Sequence, residues 1–339
     1  MTPEGLVFVT GASGFLGKHV VLTLLQAGYS VRASVRDPAM AEQVRKAVAP
    51  HLDPDRDSRL TFVTLDLTRD EGWGQAMEGA TAIFHTASPF PIAQPKDPDE
   101  VIRPAVDGTR RALEAASGAG ISRVILTSSS IAMIQTERLG IRPFDESDWA
   151  DACGTPNWPY ARSKVLAERL AWELSAKKGL RLTTINPSFI LGPPLDDRFG
   201  SSVGLVRRVL RGRDPMVPHM GFSVVDVRDV ALAHLRAWER PGTEGERFAV
   251  ACGSLWLDDY GRILKAAYPN RRMPTRAAPK PLLRLMALFD REIRASLPGV
   301  GHLEEVSSEK ARRILGIDFI PPDKALLASA EVLVSRGLV

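Results

Sequence analysis

Short, continuously apolar runs alternate with longer amphipathic stretches over the first 186 residues of the chain. Such runs are typical of strands that are covered on both faces of a parallel sheet, and we expect strands at 6–10, 31–35, 61–65, 82–85, 124–127 and 182–185. The stretches between them include three with helical periodicity, at 15–26, 101–116 and 161–176. This repeated strand–helix–strand order predicts an α/β fold with a doubly wound parallel sheet.

The pattern loosens after Asn186, where residues 187–218 are rich in Pro, Gly and Arg. Pro and Gly punctuation separates expected helices at 227–240, 257–267, 282–289 and 324–335, with a strand at 247–251. We therefore expect residues 1–186 to form the first domain and residues 187–339 to form mostly a smaller C-terminal substrate-binding cap. Residues 223–252 are expected to return to the first domain.

Composition narrows the class of protein. The 339 residues are 44% hydrophobic and 25% charged, with a net charge of +4, which is typical of a globular protein. The positive residues are scattered, so a nucleic-acid partner is not expected. Two cysteines, Cys153 and Cys252, exclude a disulfide framework and have no metal-binding spacing. With no signal-peptide pattern and no apolar run of ~18 residues, we expect a cytoplasmic protein that binds neither membranes nor metals.

A glycine-rich turn follows the first strand and opens the first helix. It reads Thr10-Gly11-Ala12-Ser13-Gly14-Phe15-Leu16-Gly17. In this context Gly11 permits a tight turn, Gly14 lets the backbone approach a pyrophosphate, and Gly17 allows close packing of helix on strand. Free N–H groups at the helix N-terminus favour phosphate. The motif predicts a dinucleotide site, the alternative being a turn that merely needs glycine.

The end of the second strand bears on the choice of dinucleotide. A 2′-phosphate needs a cation where an NAD site usually offers a carboxylate, and Arg36 stands at this position. We therefore favour NADP, although Arg36 followed by Asp37 is also compatible with an ordinary exposed strand end. Asp66, followed by Leu67, is placed to bind the adenine amino group.

Tyr160 and Lys164 are four residues apart in a helical stretch, so both can face one cleft. A phenol with a pKa of about 10 is a poor acid at neutral pH, and a nearby ammonium is expected to lower that pKa. A second donor aimed at the developing oxyanion lowers the barrier to reduction of a carbonyl. One of the hydroxyls at the end of the fifth strand, on Thr127, Ser128, Ser129 and Ser130, is expected to be that donor.

Taken together, the glycine turn, Ser129, Tyr160 and Lys164 resemble the extended short-chain dehydrogenase/reductase superfamily. Further stretches narrow the resemblance to the branch of dihydroflavonol reductases, cinnamoyl-CoA reductases and ketone or aldehyde reductases. They are residues 28–38, 85–89, 104–109, 186–188, 191–193 and 225–230. The resemblance extends from about residue 5 to 268.

This resemblance implies a Rossmann domain that binds NADPH and a homodimer by analogy. Ser129, Tyr160 and Lys164 would be catalytic, with Tyr160 giving the proton and Lys164 orienting the ribose. The implied cofactor-binding residues are Thr10, Gly11, Ser13, Gly14, Phe15, Leu16, Gly17, Arg36, Asp66, Leu67, Thr86, Ala87, Ser88, Tyr160, Lys164, Pro187 and Ser188.

Three positions depart from family patterns. Many sugar-nucleotide epimerases have Asn where this chain has Ala105, and plant reductases have a second basic residue where it has Gln43. Plant flavonoid reductases have Asn at the position of Ile134, which makes a polyhydroxylated flavonoid an unexpected substrate. The expected function is reversible, NADPH-dependent reduction of a hydrophobic ketone or aldehyde. The alternatives are a nucleotide-sugar epimerase or dehydratase and a non-catalytic NADP-sensing protein.

Further polar residues have simpler interpretations. His85 is expected to line the cleft or to satisfy a backbone group, and His219 to lie on the surface or contact substrate. Asp226 and Asp229 are expected to cap and pair at a helix start. Cys153, in the long insertion before Tyr160, is expected to be a packed thiol.

Overall fold

The structure is a computed structural model that describes residues 5–88, 97–151, 159–289, 293–294 and 297–339. Its strands are β1 (Leu6–Thr10), β2 (Ser30–Val35), β3 (Leu60–Thr64), β4 (Ala80–His85), β5 (Arg123–Thr127), β6 (Arg181–Pro187), β7 (Phe189–Leu191), β8 (Val217–Pro218), β9 (Gly221–Asp226), β10 (Arg247–Val250), β11 (Gly253–Trp256) and β12 (Ala277–Ala278). Its helices are α1 (Phe15–Gln26), α2 (Ala39–Val48), α3 (Pro54–Asp57), α4 (Trp73–Met77), α5 (Asp99–Gly118), α6 (Pro159–Lys178), α7 (Ser201–Arg211), α8 (Val227–Glu239), α9 (Leu257–Ala267), α10 (Lys280–Met286) and α11 (Pro322–Ser335).

The central sheet has seven parallel strands in the order β10-β6-β5-β4-β1-β2-β3. The chain adds β2 and β3 on one side of β1, then continues from β4 on the other side. The strand order therefore reverses between β1 and β4, which is where ligands bind in open α/β sheets. The doubly wound α/β fold expected from the sequence is confirmed.

Both faces of this sheet are buried, as the continuously apolar strands predict. Along β1, Val7 and Val9 pack into the core beneath α1, α2 and α8, whereas Phe8 packs into the core beneath α5 and α6. All three side chains are fully buried. Alternate residues of one strand thus serve two separate cores.

A second layer is built from the residues after β6. β9 pairs antiparallel with β11 and parallel with β7, and the resulting small sheet packs with α7, α9 and α11 around a core that includes Tyr260. The strand expected at 247–251 is present as β10, and it joins the central sheet beside β6.

The C-terminal part of the chain contributes to the first core as well as to the second. A π-helical turn at Ala311–Leu315, followed by Ile317 and Phe319, packs with α8 and α1. The division into two domains that the sequence suggests stays a prediction. The chain crosses between the two cores more than once. No helix among the described residues has the length and apolar character to cross a membrane.

Candidate active site

The glycine turn lies at the point where the strand order reverses, against the segment that leaves β4. Gly11 has a φ of +73°, and a Cβ at this residue would lie 2.7 Å from the Cα of Ala87. A Cβ at Gly17 would lie 2.1 Å from the carbonyl oxygen of Gly11. Only glycine fits at these two positions, because the obstructing atoms belong to the backbone.

Gly14 is exposed and faces outward, and a Cβ there would meet only the Gly11 carbonyl oxygen among the described atoms, at 3.3 Å. It is the N-cap of α1 and makes no side-chain cap hydrogen bond, so the first N–H groups of α1 have no partner from a capping side chain. This open turn with its helix N-terminus has the shape and the donors that a pyrophosphate requires. Ser13 is partly exposed beside it, and Leu16 is partly buried.

Phe15 and Thr10 use their side chains inside the protein. Phe15 is buried in the second core and packs edge-on against His19, with ring centroids 5.7 Å apart. The Thr10 hydroxyl is bonded to His85 Nδ1 at 2.8 Å and accepts the N–H of Ala87 at 3.2 Å. Any contact of these two residues with a ligand in the turn would therefore involve the backbone.

His85 stands where β4 ends and is 1% exposed. Burial lowers the pKa of His85 to about 3, and the nearby Lys164 ammonium lowers it further. His85 is therefore a neutral ring that orders the turn through Thr10. Beyond it, the partly buried Thr86 donates to the Thr10 carbonyl oxygen at 2.6 Å, and Ala87 and Ser88 continue along the cleft.

At the other end of the turn, Arg36 is exposed just past β2. Asp37 faces away to α2, where its carboxylate accepts the N–H of Ala39 at 3.0 Å. The Asp66 carboxylate accepts the N–H and the hydroxyl of Thr68, which lower its pKa, and the nearby Arg36 lowers it further. Arg36 thus lies close to Asp66 at this rim, with Leu67 packed on Gly108.

No second cation from α2 joins Arg36. Arg45 donates to the carbonyl oxygens of Asp57 and Leu60 and stacks on Phe62, and Lys46 pairs with Glu42. Neither Arg45 nor Lys46 therefore takes the place of the second basic residue that plant reductases have at the position of Gln43.

Ser129, Tyr160 and Lys164 come together at the carboxyl edge of the sheet. The Tyr160 phenol is hydrogen-bonded to Ser129, and Lys164 Nζ lies 5.8 Å from the centroid of the Tyr160 ring. Burial raises the pKa of Tyr160 to about 12, although the bond with Ser129 acts in the opposite direction. The pKa of the phenol is therefore raised by burial, where the sequence analysis expected a lowered value, and the phenol is protonated at neutral pH.

Lys164 is 6% exposed, and burial lowers its pKa to about 8, against the raising effect of Glu168. Its amine is still largely protonated at neutral pH. An ammonium and a hydroxyl that flank a phenol can together move a proton to and from an oxygen placed beside them.

Pro187 is the last residue of β6, Ser188 follows it on the same edge, and both are buried. Ser188 donates both its N–H, at 3.0 Å, and its hydroxyl, at 3.2 Å, to the Val250 carbonyl oxygen of β10. These bonds hold the backbone after β6 next to the end of the sheet, and they commit the Ser188 side chain to the protein interior.

Glu168 is the residue of this region that the sequence analysis missed. It is 1% exposed, and it accepts hydrogen bonds from Ser128, Asn186 and Arg247. The available signal was its position four residues after Lys164, which puts it on the same face of α6. Ser128, Asn186 and Arg247 lie 18 to 79 residues away from Glu168 along the chain, so local spacing does not reveal these partners.

Other expectations concern residues around the site. Ile134 belongs to a buried cluster with Met133 and Phe144, so its side chain is part of a core. His219 is partly exposed, stacks on Trp256 at 4.1 Å and is bonded to Asp258. Cys153 lies outside the described residues.

Asp226 caps and pairs at the helix start as expected, whereas Asp229 has a different structural role. Asp226 caps α8 by accepting the N–H of Arg228 and also forms an ion pair with that side chain. Asp229 accepts the N–H of Ile320, which ties the C-terminal segment to α8.

Comparison with known proteins supports the same grouping. A family model described as NAD dependent epimerase/dehydratase family matches residues 7–251. Cinnamoyl-CoA reductase 1 of Arabidopsis thaliana is 35% identical over 280 residues, covering 81% of this chain and 78% of that protein. The bifunctional dihydroflavonol 4-reductase/flavanone 4-reductase of Malus domestica is 32% identical over 284 residues, covering 80% and 77%.

Among solved structures, the yeast methylglyoxal/isovaleraldehyde reductase Gre2 complexed with NADPH superposes with a TM-score of 0.82 and 26% identity, covering 98% of this chain and 100% of that chain. The similarity therefore extends through the C-terminal residues as well as the central sheet. The resemblance stated from the motifs is confirmed, and the chain belongs to the NAD dependent epimerase/dehydratase family, in its extended short-chain dehydrogenase/reductase grouping.

Proposed function

We propose that this protein reduces a ketone or aldehyde to an alcohol with NADPH, reversibly, with Ser129, Tyr160 and Lys164 as catalytic residues. The observation that carries the proposal is the partly buried, hydrogen-bonded pair of Tyr160 and Ser129 with the Lys164 amine beside the phenol ring. The names of the relatives agree with it, since all three compared above are reductases.

The residues of the turn fit a dinucleotide. Gly14 leaves the outer side of the turn open, and Arg36 is the exposed cation at the rim, matched to a 2′-phosphate. Thr86, Ala87 and Ser88 line the facing side, and Pro187 and Ser188 close the nicotinamide end. When bound, NADPH supplies the hydride.

The side chains of the protein supply the proton and control its transfer. Ser129 and Tyr160 hold the carbonyl oxygen of the substrate between two hydroxyls, which stabilises the negative charge that develops there. Tyr160 donates its proton to that oxygen, and its high pKa keeps it protonated until then. Lys164 holds the ribose and favours the phenolate that is left. The partly buried side chain of Ile131, two residues after Ser129, provides an apolar group near this end of the sheet, which suits aliphatic or aromatic carbonyl compounds.

Replacing Tyr160 by Phe tests the proposed acid. We expect kcat to fall by 10² to 10⁴, the usual contribution of a positioned proton donor, because the ring remains and only the hydroxyl is lost. NADPH oxidation is followed by absorbance with aryl ketones, α-ketoesters and aldehydes, and NADPH affinity is measured by fluorescence in parallel. Affinity should change little.

Wild-type activity in the Tyr160→Phe variant would contradict the assignment. An epimerase or dehydratase uses its cofactor transiently, so stoichiometric loss of NADPH with a simple carbonyl compound separates a reductase from that class. Absence of NADPH loss in the wild-type protein across the whole panel would contradict the proposed function itself.

A further inference from the structure

A buried polar cluster lies directly beneath the three proposed catalytic residues. Its centre is Glu168, and its donors are the Ser128 hydroxyl at 2.5 Å, the Asn186 amide at 2.7 Å and Arg247 Nε at 2.7 Å. The Thr184 hydroxyl adds a longer bond of 3.2 Å. A buried carboxylate is costly unless it is fully hydrogen-bonded. These donors therefore hold the Glu168 side chain in a defined position at the end of the sheet.

The cluster joins every segment that carries a catalytic group. Ser128 immediately precedes Ser129 at the end of β5. Asn186, at the end of β6, also donates to the Ser129 carbonyl oxygen at 3.3 Å. Glu168 itself is one helical turn beyond Lys164 on α6, the helix that also carries Tyr160. A shift at Glu168 would therefore change the distance between the hydroxyl of β5 and the two side chains of α6.

Arg247 extends the cluster to the loop that precedes α6. Its Nη1 donates to the carbonyl oxygens of Glu146, at 2.7 Å, and Asp148, at 2.8 Å. Its guanidinium also stacks on the Trp149 ring, with its carbon 3.8 Å from the ring centroid. The described part of this loop is thus bonded to β10, the last strand of the sheet.

Among the groups named here around Lys164, Glu168 is the one that raises the pKa of its amine. On α6 the neighbours of Lys164 are the neutral phenol of Tyr160 and the carboxylate of Glu168. From β4 it meets the neutral ring of His85, and Arg247 of β10 lies behind Glu168. Glu168 is the group whose charge raises the pKa of Lys164 against the effect of burial.

We propose that Glu168 is a positioning residue of this site. Its carboxylate holds the strand end that carries Ser129 in register with the helix that carries Tyr160 and Lys164, and it places a negative charge one helical turn from Lys164. The kinetic consequence rests on the proposed function, whereas the effect on Lys164 does not.

The charge is tested without turnover. Protein labelled with [ε-¹³C]lysine is titrated by NMR, and the Lys164 signal is assigned with Lys164→Met. The Glu168→Gln variant should titrate at a pH lower than wild type by roughly one unit or more, as expected for loss of an adjacent opposite charge. Glu173→Gln, an exposed glutamate on the same helix, is the matched control and should leave the Lys164 midpoint unchanged. An unchanged midpoint in Glu168→Gln would overturn the inference.

The positioning role is tested by kinetics. In the wild type, kcat/KM for reduction should fall as the pH rises through about 8, because the Lys164 amine loses its proton there. Glu168→Gln should move this decline to lower pH. Ser128→Ala removes one tether and keeps the charge, so kcat should fall about tenfold with no movement of the decline. A Ser128→Ala enzyme with wild-type kcat would contradict the tethering.

The outcomes separate the two proposals. If wild-type protein reduces no carbonyl compound but Glu168→Gln shifts the Lys164 titration, the proposed function fails and the role of Glu168 in charging Lys164 stands. If reduction occurs and neither the titration nor the pH profile moves, the inference fails and the function stands. Should Glu168→Gln not fold, Glu168→Asp, which keeps the charge on a shorter side chain, should titrate like wild type at Lys164 and lose kcat, and wild-type kcat would overturn the proposal.

Discussion

At the scale of single residues, two neighbours at the end of β2 have different tasks. Arg36 is exposed at the rim of the glycine turn, whereas the Asp37 carboxylate is bonded to the backbone at the start of α2. A carboxylate directed at the ribose would favour NAD. Because the Asp37 carboxylate is engaged at the helix start, it is not directed at a ribose, whereas Arg36 is exposed where a 2′-phosphate would lie.

The preference for NADPH should depend on Arg36. Arg36→Gln removes a charge-assisted bond of about 1.5–3 kcal/mol, so the affinity for NADPH should fall about 10- to 150-fold and that for NADH should change little. Dissociation constants for both nucleotides are measured by fluorescence. Asp37→Asn keeps the acceptor for Ala39 and should leave the ratio of the two constants unaltered. An unchanged ratio in Arg36→Gln would remove Arg36 from the phosphate site.

At the scale of elements, the junction of β1 and α1 depends on close backbone contact. The helix approaches the turn so closely that a methyl group at Gly17 would overlap the Gly11 carbonyl oxygen. The contact belongs to the backbone on both sides, so rotation of a side chain cannot relieve it. The position of the helix N-terminus is therefore fixed by the absence of one side chain.

Two glycine-to-alanine variants test this geometry. Gly17→Ala should lower the free energy of unfolding by about 1–3 kcal/mol through overpacking and weaken NADPH binding. Gly204→Ala is the control, because Gly204 lies within α7 with open space around its Cα, and it should raise stability by about 0.5–1 kcal/mol. Urea unfolding gives both values. Equal effects of the two substitutions would refute the role of close packing.

Elements with strong local patterns could be predicted, and others could not. The helix predicted at 15–26 is α1 with the same bounds, because its apolar positions recur without interruption. By contrast, α7 was not predicted within 187–218. Its buried residues Val203, Val206, Val209 and Leu210 do follow a helical period. Valine and Gly204 have low helix propensity, so tertiary packing is what stabilises α7.

The candidate site could likewise be predicted only where its residues form local motifs. The turn, the strand-end serine and the Tyr160–Lys164 pair are local motifs, and the structure brings Ser129, Tyr160 and Lys164 together. The bonds of Glu168 to Asn186 and Arg247 depend on how β6 and β10 are ordered in the sheet. Strand order is set by long-range pairing, which residue spacing does not encode.

At the scale of the whole molecule, the C-terminal segment is anchored by a buried acid. Asp229 of α8 is 5% exposed and accepts the N–H of Ile320 at 2.8 Å. Burial raises the pKa of Asp229 to about 6. The contact that joins the end of the chain to the first core is therefore formed at an energetic cost once the unfolded chain can ionise this carboxyl.

The cost has a definite pH window. As the pH rises from about 4 to 6, the carboxyl ionises in the unfolded chain but stays protonated in the folded one, so stability falls, by roughly 3 kcal/mol at most. Asp229→Asn keeps the acceptor and cannot ionise. It should therefore be more stable than wild type above pH 6, with the difference narrowing toward pH 4, as measured by urea unfolding at each pH.

Asp318→Asn provides the comparison, since Asp318 is fully exposed in the same segment and its loss should not change the pH dependence. A difference between Asp229→Asn and wild type that stays constant from pH 4 to 8 would contradict the assignment of the cost to Asp229.

The inclusion of Ala311, Leu315 and Phe319 in the first core has a consequence for biosynthesis. A nascent chain that has just released β10 from the ribosome possesses all seven strands, yet the surface of α8 that these residues cover is still bare. Completion of the first core must therefore wait until residues 311–319 have been translated. A fragment ending at residue 251 would expose that surface to chaperones and proteases.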